Sequence, residues 1–131
     1  IYTKSFDCAQ AGKGTKLFLN LGKVNNLARV KLNGKYLGIV WTTPLEVEIT
    51  TAVQEKNNQL EIEVVNLWGN RLIGDEGYKD DGIVDGKWPE WVLNDEARPS
   101  KRYTFTSFKH YTKESPLQSS GLLGPVTIQI Q

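Results

Sequence analysis

Ala28-Arg29-Val30-Lys31-Leu32-Asn33-Gly34-Lys35-Tyr36-Leu37-Gly38-Ile39 is the stretch on which the fold turns. Apolar and polar residues alternate before Asn33-Gly34, and a period of two means strand. Asn-Gly is the strongest two-residue hairpin signal, because a type I′ turn needs positive φ at both central positions and this pair tolerates it. A loop of that length also sets the register: Leu32 faces Lys35, Val30 faces Leu37 and Ala28 faces Ile39, an inward row that continues to Trp41.

Working outward, the same period recurs. Leu17, Leu19 and Leu21 alternate with Lys16, Phe18 and Asn20. Leu45 to Ile49 and Leu60 to Val64 are apolar on one face and glutamate-bearing on the other. Val126, Ile128 and Ile130 alternate with Thr127, Gln129 and Gln131, Ile1 to Phe6 supplies a further strand, and Tyr103 to Phe108 is aromatic and threonine-rich. Thr50 to Glu55 suits one helical turn, with a threonine as N-cap and Asn57-Asn58 closing it. No segment carries a helical stripe of useful length. Short half-apolar strands bury their faces by pairing two sheets, so the expected fold is all-β, a β-sandwich of jelly-roll type over residues 1-131 as one domain.

Asn66 to Arg102 breaks the regularity. It is rich in glycine and aspartate, yet it holds Trp68, Trp88 and Trp91, three of the four tryptophans. A long excursion of this kind is functional or disordered, and tryptophans argue that at least its ends pack.

Composition removes several functions. The chain has 131 residues, 16 basic against 15 acidic side chains, one cysteine, one histidine and no methionine. A net charge of +1 with no polybasic tail gives no field for duplex nucleic acid or an anionic membrane. Cys8 alone makes no internal disulfide, and with His110 alone no Cys/His zinc cluster assembles. Neither a signal-peptide pattern nor a long apolar run appears, which argues against bilayer insertion. A chain without methionine cannot begin at its own start codon, so a processed protein, or a piece cut from a longer one, is expected.

Each candidate constellation has a plainer alternative. Glu46/Glu48 and Glu61/Glu63 sit two apart on a strand face, roughly 6.5 to 7 Å, a separation that would suit a glycosidase. Both pairs lie on the solvent face, where nothing raises an acid's pKa, and pairing across strands with Lys16, Arg29 or Lys31 is the better reading. Asp75, Asp80, Asp81 and Asp85 are calcium candidates by residue type, but their spacing fails the EF-hand pattern, and a solvated loop competes. Ala11-Gly12-Lys13-Gly14-Thr15 opens a strand rather than a helix, so it is a tight turn and not a P-loop. No serine near His110 sits in a nucleophile elbow, and Cys8 lacks activation. Arg98 to Phe105 is basic and aromatic, a minor single-strand nucleic-acid signal.

Aromatic residues among polar loops can stack on a pyranose face while amides and charges take its hydroxyls. Trp41, Trp68, Trp88, Trp91, His110 and Tyr111 with Asn70 and Arg71 are the candidate carbohydrate-binding residues. The competing reading is that the tryptophans plug the sandwich ends, their indole N–H groups on loop carbonyls.

The runs Leu17 to Val24, Ala28 to Gly38, Pro44 to Thr50 and Asn58 to Asn66 resemble the sugar-binding jelly-roll domain of glycoside hydrolase family 2, galactose-binding-like in fold. Asn66 to Asp75, Trp88-Pro89-Glu90-Trp91, Arg98 to Thr106, Lys109-His110-Tyr111 and Ser115 to Val126 are similar to the C-terminal domain of bacterial α-L-rhamnosidase-type enzymes of family 106. Tyr78 to Lys87 departs from that pattern and reads as an insertion. The resemblance implies a parent glycoside hydrolase, of α-L-rhamnosidase or β-galactosidase-like type, with its catalytic carboxylates in a separate domain, so no catalytic residue carries over to this chain. The expected function is a non-catalytic accessory domain of a polysaccharide-degrading hydrolase that packs on the catalytic domain. An autonomous carbohydrate-binding module and an independent hydrolase are the alternatives. The implied partners are the parent's catalytic domain and a plant or pectic oligosaccharide, with no nucleic acid and no membrane. A monomer, no cofactor beyond optional calcium, and a periplasmic or extracellular location complete the expectation.

Overall fold

In the computed structural model, which describes residues 1–131, the elements run β1 (Tyr2–Phe6), β2 (Leu17–Asn20), β3 (Lys23–Asn25), β4 (Leu27–Leu32), β5 (Lys35–Val40), β6 (Glu46–Glu48), β7 (Asn58–Val65), α1 (Gly69–Asp75), α2 (Glu90–Leu93), β8 (Gly121–Gly124) and β9 (Thr127–Ile130). They divide between two units, Ile1–Asn66 with Ser119–Gln131, and Leu67–Gln118.

The first unit holds every strand. One sheet has the order β1-β7-β4-β5, a second β6-β2-β9, and β3 pairs with β8; all these pairings are antiparallel. Leu17 and Leu19 of β2 meet Ala28, Val30 and Leu32 of β4 and Leu60 and Ile62 of β7 in a single core, joined by Leu21, Ile49 and Cys8. Leu21, Leu32 and Ile49 are fully buried, each such side chain being worth about 1.5–3 kcal/mol on removal from water. In β2, β4 and β7 the alternation of the sequence is therefore realised face to face, whereas β9, with Ile128 and Ile130, is exposed along its length.

Asn33 and Gly34 take φ of +53° and +79°, the type I′ requirement. Leu32 pairs with Lys35 as the loop length demands, but the register then shifts between Val30 and Lys31, so that Val30 faces Gly38 and Ala28 faces Val40. This corrects the expected Val30–Leu37 and Ala28–Ile39 pairing. Gly38 adopts φ +124°, open only to glycine, and lets β5 carry one extra residue as a bulge. The parity flips there: Val40 is buried, while Ile39 and Trp41 are exposed, so the inward row does not reach Trp41.

Thr50 does not cap a helix. Its hydroxyl accepts the Leu17 N–H at 2.9 Å and donates to Glu48. One turn still forms, with the Val53 N–H on the Ile49 carbonyl. It is closed by Asn58, which is completely buried. The Asn58 Oδ1 accepts the Gln54 N–H (2.7 Å) and Asn33 Nδ2 (3.0 Å), and its Nδ2 donates to the carbonyls of Gln54 and Phe6. Ala11 to Thr15 is a tight turn, as its glycines dictate.

Lys31 bonds Glu61 at 2.9 Å and Arg29 bonds Glu63 at 3.3 Å across β4 and β7, while Glu46 and Glu48 engage Asn20 and Thr50. The Arg29 and Lys31 pairs are the cross-strand solvent pairs the alternation implies, whereas Lys16 enters no ion pair. No helix of the structure is long and apolar enough to cross a membrane.

Candidate aromatic and carboxylate site in the second unit

The excursion expected as loop folds as part of the Leu67–Gln118 unit with two short helices, and the aromatic, threonine-rich Tyr103 to Phe108 forms no strand. Its framework is polar. Asn70 and Gln118 tie the two ends together, Asn70 Nδ2 to the Gln118 carbonyl and the Gln118 N–H to Asn70 Oδ1, both at 2.7 Å. At the C-terminal end of α1, Asp75 is completely buried. Its Oδ2 accepts the N–H groups of Tyr103 (2.8 Å) and Thr104 (2.6 Å) and the Thr104 hydroxyl (2.8 Å). Burial pushes the Asp75 carboxyl up, but the donors of Thr104 and Tyr103, with Arg71 nearby, outweigh it and hold the group below its usual range.

Asp81 is gripped by Arg98 through two parallel bonds, Nε to Oδ2 at 2.9 Å and Nη2 to Oδ1 at 2.7 Å, and the same guanidinium donates to the Thr104 carbonyl. The Arg98 bonds hold the Asp81 carboxyl well below the ordinary carboxylate range, and Asp81 in turn raises Arg98. Asp80 meets Lys109 at 2.8 Å and is likewise lowered, with the Gly82 N–H as a second donor. Arg102, almost buried, pairs with Glu76. Asp85 lies apart, in the left-handed turn Asp85-Gly86. The structure thus engages three of the four calcium candidates with Arg98, Lys109 and backbone donors. No group of three or more His, Cys, Asp and Glu side chains is placed to hold a metal ion.

The aromatic candidates separate. Trp41 belongs to the first unit, on the end of β5, and is exposed. In the second unit Trp68 stacks on Tyr103 with centroids 5.8 Å apart, and Arg71 lies 5.0 Å over the Tyr103 ring. Trp88 stacks on Phe105 at 5.7 Å with ring planes 6° apart, and Trp91 meets Phe105 edge-on at 6.0 Å. The Trp91 indole N–H bonds the Asp81 carbonyl at 2.8 Å, and Arg98 covers its ring. Trp68 and Trp88 are instead 58% and 53% exposed. His110 and Tyr111 meet edge-on at 4.7 Å in an exposed irregular segment, with Tyr111 Oη near Gln118.

Phe105 and Tyr103, which back the tryptophans, and Arg98, which organises the acidic run, fall in the basic and aromatic stretch first noted for nucleic-acid stacking. The signal that could have found them was the aromatic alternation Tyr103-Thr104-Phe105 beside the tryptophans. The structure applies it to packing: Tyr103 and Phe105 turn outward onto indoles, and Thr104 turns inward onto Asp75.

The family described as "Glycosyl hydrolase 2 galactose-binding domain-like" matches residues 1–103. A Formosa agariphila protein named "Putative beta-glucuronidase" is 44% identical over 135 residues, covering 98% of this chain and 12% of that protein. The solved structure of a rhamnosidase from Novosphingobium sp. PP1Y is 35% identical with a TM-score of 0.73, over 97% of this chain and 10% of that one. The chain spans about a tenth of the length of these relatives.

Proposed function

The chain belongs to the galactose-binding-like domain family of glycosyl hydrolase 2, and from that premise we propose that it is a non-catalytic accessory domain of a larger glycoside hydrolase, packed against the part that carries the catalytic carboxylates. The observation that carries this reading is the state of its acids. Each carboxylate displaced from its ordinary pKa, Asp75, Asp80 and Asp81, is displaced downward and held by a cation or by backbone donors. Glycoside hydrolysis needs the opposite, a general acid with a raised pKa facing a second carboxylate across the bond. A covering partner is supported by β5, an edge strand that leaves Tyr36 and Ile39 exposed, with exposed Trp41 directly after it.

Such a domain alone hydrolyses no nitrophenyl rhamnoside, galactoside or glucuronide. In the parent enzyme, excising it lowers the thermal midpoint of the catalytic part. Hydrolysis by the isolated chain that is abolished by Glu46→Gln or Glu48→Gln overturns the reading. The same reading places the protein in the periplasm or outside the cell, with the parent's catalytic domain as its partner; cell fractionation tests the location.

A second role, carbohydrate contact in the Leu67–Gln118 unit, is favoured by Trp88. Phe105 fixes its ring from one side while half of the residue remains open to solvent.

A further inference from the structure

Tyr78, Trp88 and Trp91 line a cavity of about 640 Å³ within the second unit. An indole already stacked on Phe105 at 6° keeps its orientation with no ligand present, so a pyranose laid on the free side meets a preorganised apolar face.

The charges around it are unevenly committed. Lys79, Lys87 and Lys101 line the same cavity, and none of them takes part in an ion pair. Of the acidic side chains there, Asp80 is neutralised by Lys109 and Asp81 by Arg98, which leaves only Asp85 and Glu90 without an ion-pair partner beside the three lysines. Lysine presents a compact charge on a flexible stem, suited to a single anionic group at the rim of a site.

We propose that this cavity binds a pyranoside bearing an anionic substituent, a carboxylate or a sulfate ester, with its ring on Trp88 and its charge among Lys79, Lys87 and Lys101. The proposal rests on the carbohydrate-contact reading above and adds the class of sugar.

Methyl galactoside and methyl galacturonide share a ring and differ in charge at one carbon; galactose 6-sulfate supplies the other anion. Titrated into the 131-residue chain with tryptophan fluorescence as readout, either anionic sugar binds about three- to fivefold more tightly than the neutral one at low salt. High salt erases the difference, because exposed charges are screened. The double variant Lys87→Gln with Lys101→Gln loses the preference and keeps neutral binding. Trp88→Ala loses both with the far-ultraviolet circular dichroism unchanged. The tighter of the two anions identifies the charged group. Equal affinity for neutral and anionic sugars overturns the anionic specificity and leaves carbohydrate contact standing. No saturable signal from any of the three overturns both.

Discussion

Arg98 and Asp81 form a two-bond fork, at 2.9 and 2.7 Å, with little solvent access to either side chain. The pair turns an acidic glycine-rich run into a framework, because the guanidinium also holds the Thr104 carbonyl and covers Trp91. Removing one partner strands the other charge. Asp81→Asn is expected to destabilise the second unit by about 3 kcal/mol, measured by urea unfolding on tryptophan fluorescence. Arg98→Lys recovers only part of the loss, since lysine cannot make the fork.

The pH dependence follows from the same acids. Asp75, Asp80 and Asp81 have folded-state pKa values below the ordinary aspartate value of 3.8. Their contribution is complete above that value and is lost as pH falls through the lower folded values, where protonation breaks the bonds to Arg98, Lys109 and Thr104. The aromatic near-ultraviolet dichroism should hold steady from pH 5 upward and collapse in acid below pH 3.8. Asp81→Asn should flatten that acid limb.

Asn58 makes four hydrogen bonds from a fully buried side chain. Asn58→Ala leaves the Gln54 N–H and two carbonyls unpaired, at a cost of about 3 kcal/mol in chemical denaturation. Asn58→Asp costs more, because a carboxylate in place of Nδ2 faces the carbonyls of Phe6 and Gln54.

Two left-handed glycines differ in how much they tolerate. At Gly22, φ +64°, a Cβ would stand 2.5 Å from the Gly124 carbon and the Pro125 oxygen, both backbone atoms. At Gly34, φ +79°, it would meet nothing within 4 Å. Gly34→Ala therefore loses about 1 kcal/mol from conformation alone, while Gly22→Ala loses several times as much or fails to fold, as thermal melts will show.

The strand-face acids serve as the contrasting case. Lys31 and Glu61 are both substantially exposed. Glu61→Gln changes stability by no more than about 0.5 kcal/mol by urea titration. A larger loss would show that this face is covered.

The sandwich was legible because alternation is a local property. Leu17, Leu19, Val30, Leu32, Leu60 and Ile62 announce their faces by spacing, and Asn33-Gly34 announces its turn by the φ values it tolerates. The first slip came at Gly38, where a single glycine φ inserts a residue and sends Ile39 and Trp41 outward. Spacing cannot show such a bulge, because its cause is the pairing with β4.

The second unit lay beyond local pattern altogether. Residues of type Asp75, Asp81 and Arg98 read equally well as cation ligands, solvated loop or framework, and only their partners, distant in sequence, choose among these. By itself the sequence determined that the strand-bearing part of this protein is a β-sandwich with glutamates paired on its solvent face, since strand period and charge alternation need no long-range information. Tertiary structure alone decided that Arg98 claims Asp81, that Phe105 backs Trp88, and that Lys79, Lys87 and Lys101 are left unpaired around the cavity. Each of those outcomes is set by which side chains meet after the chain has folded back on itself.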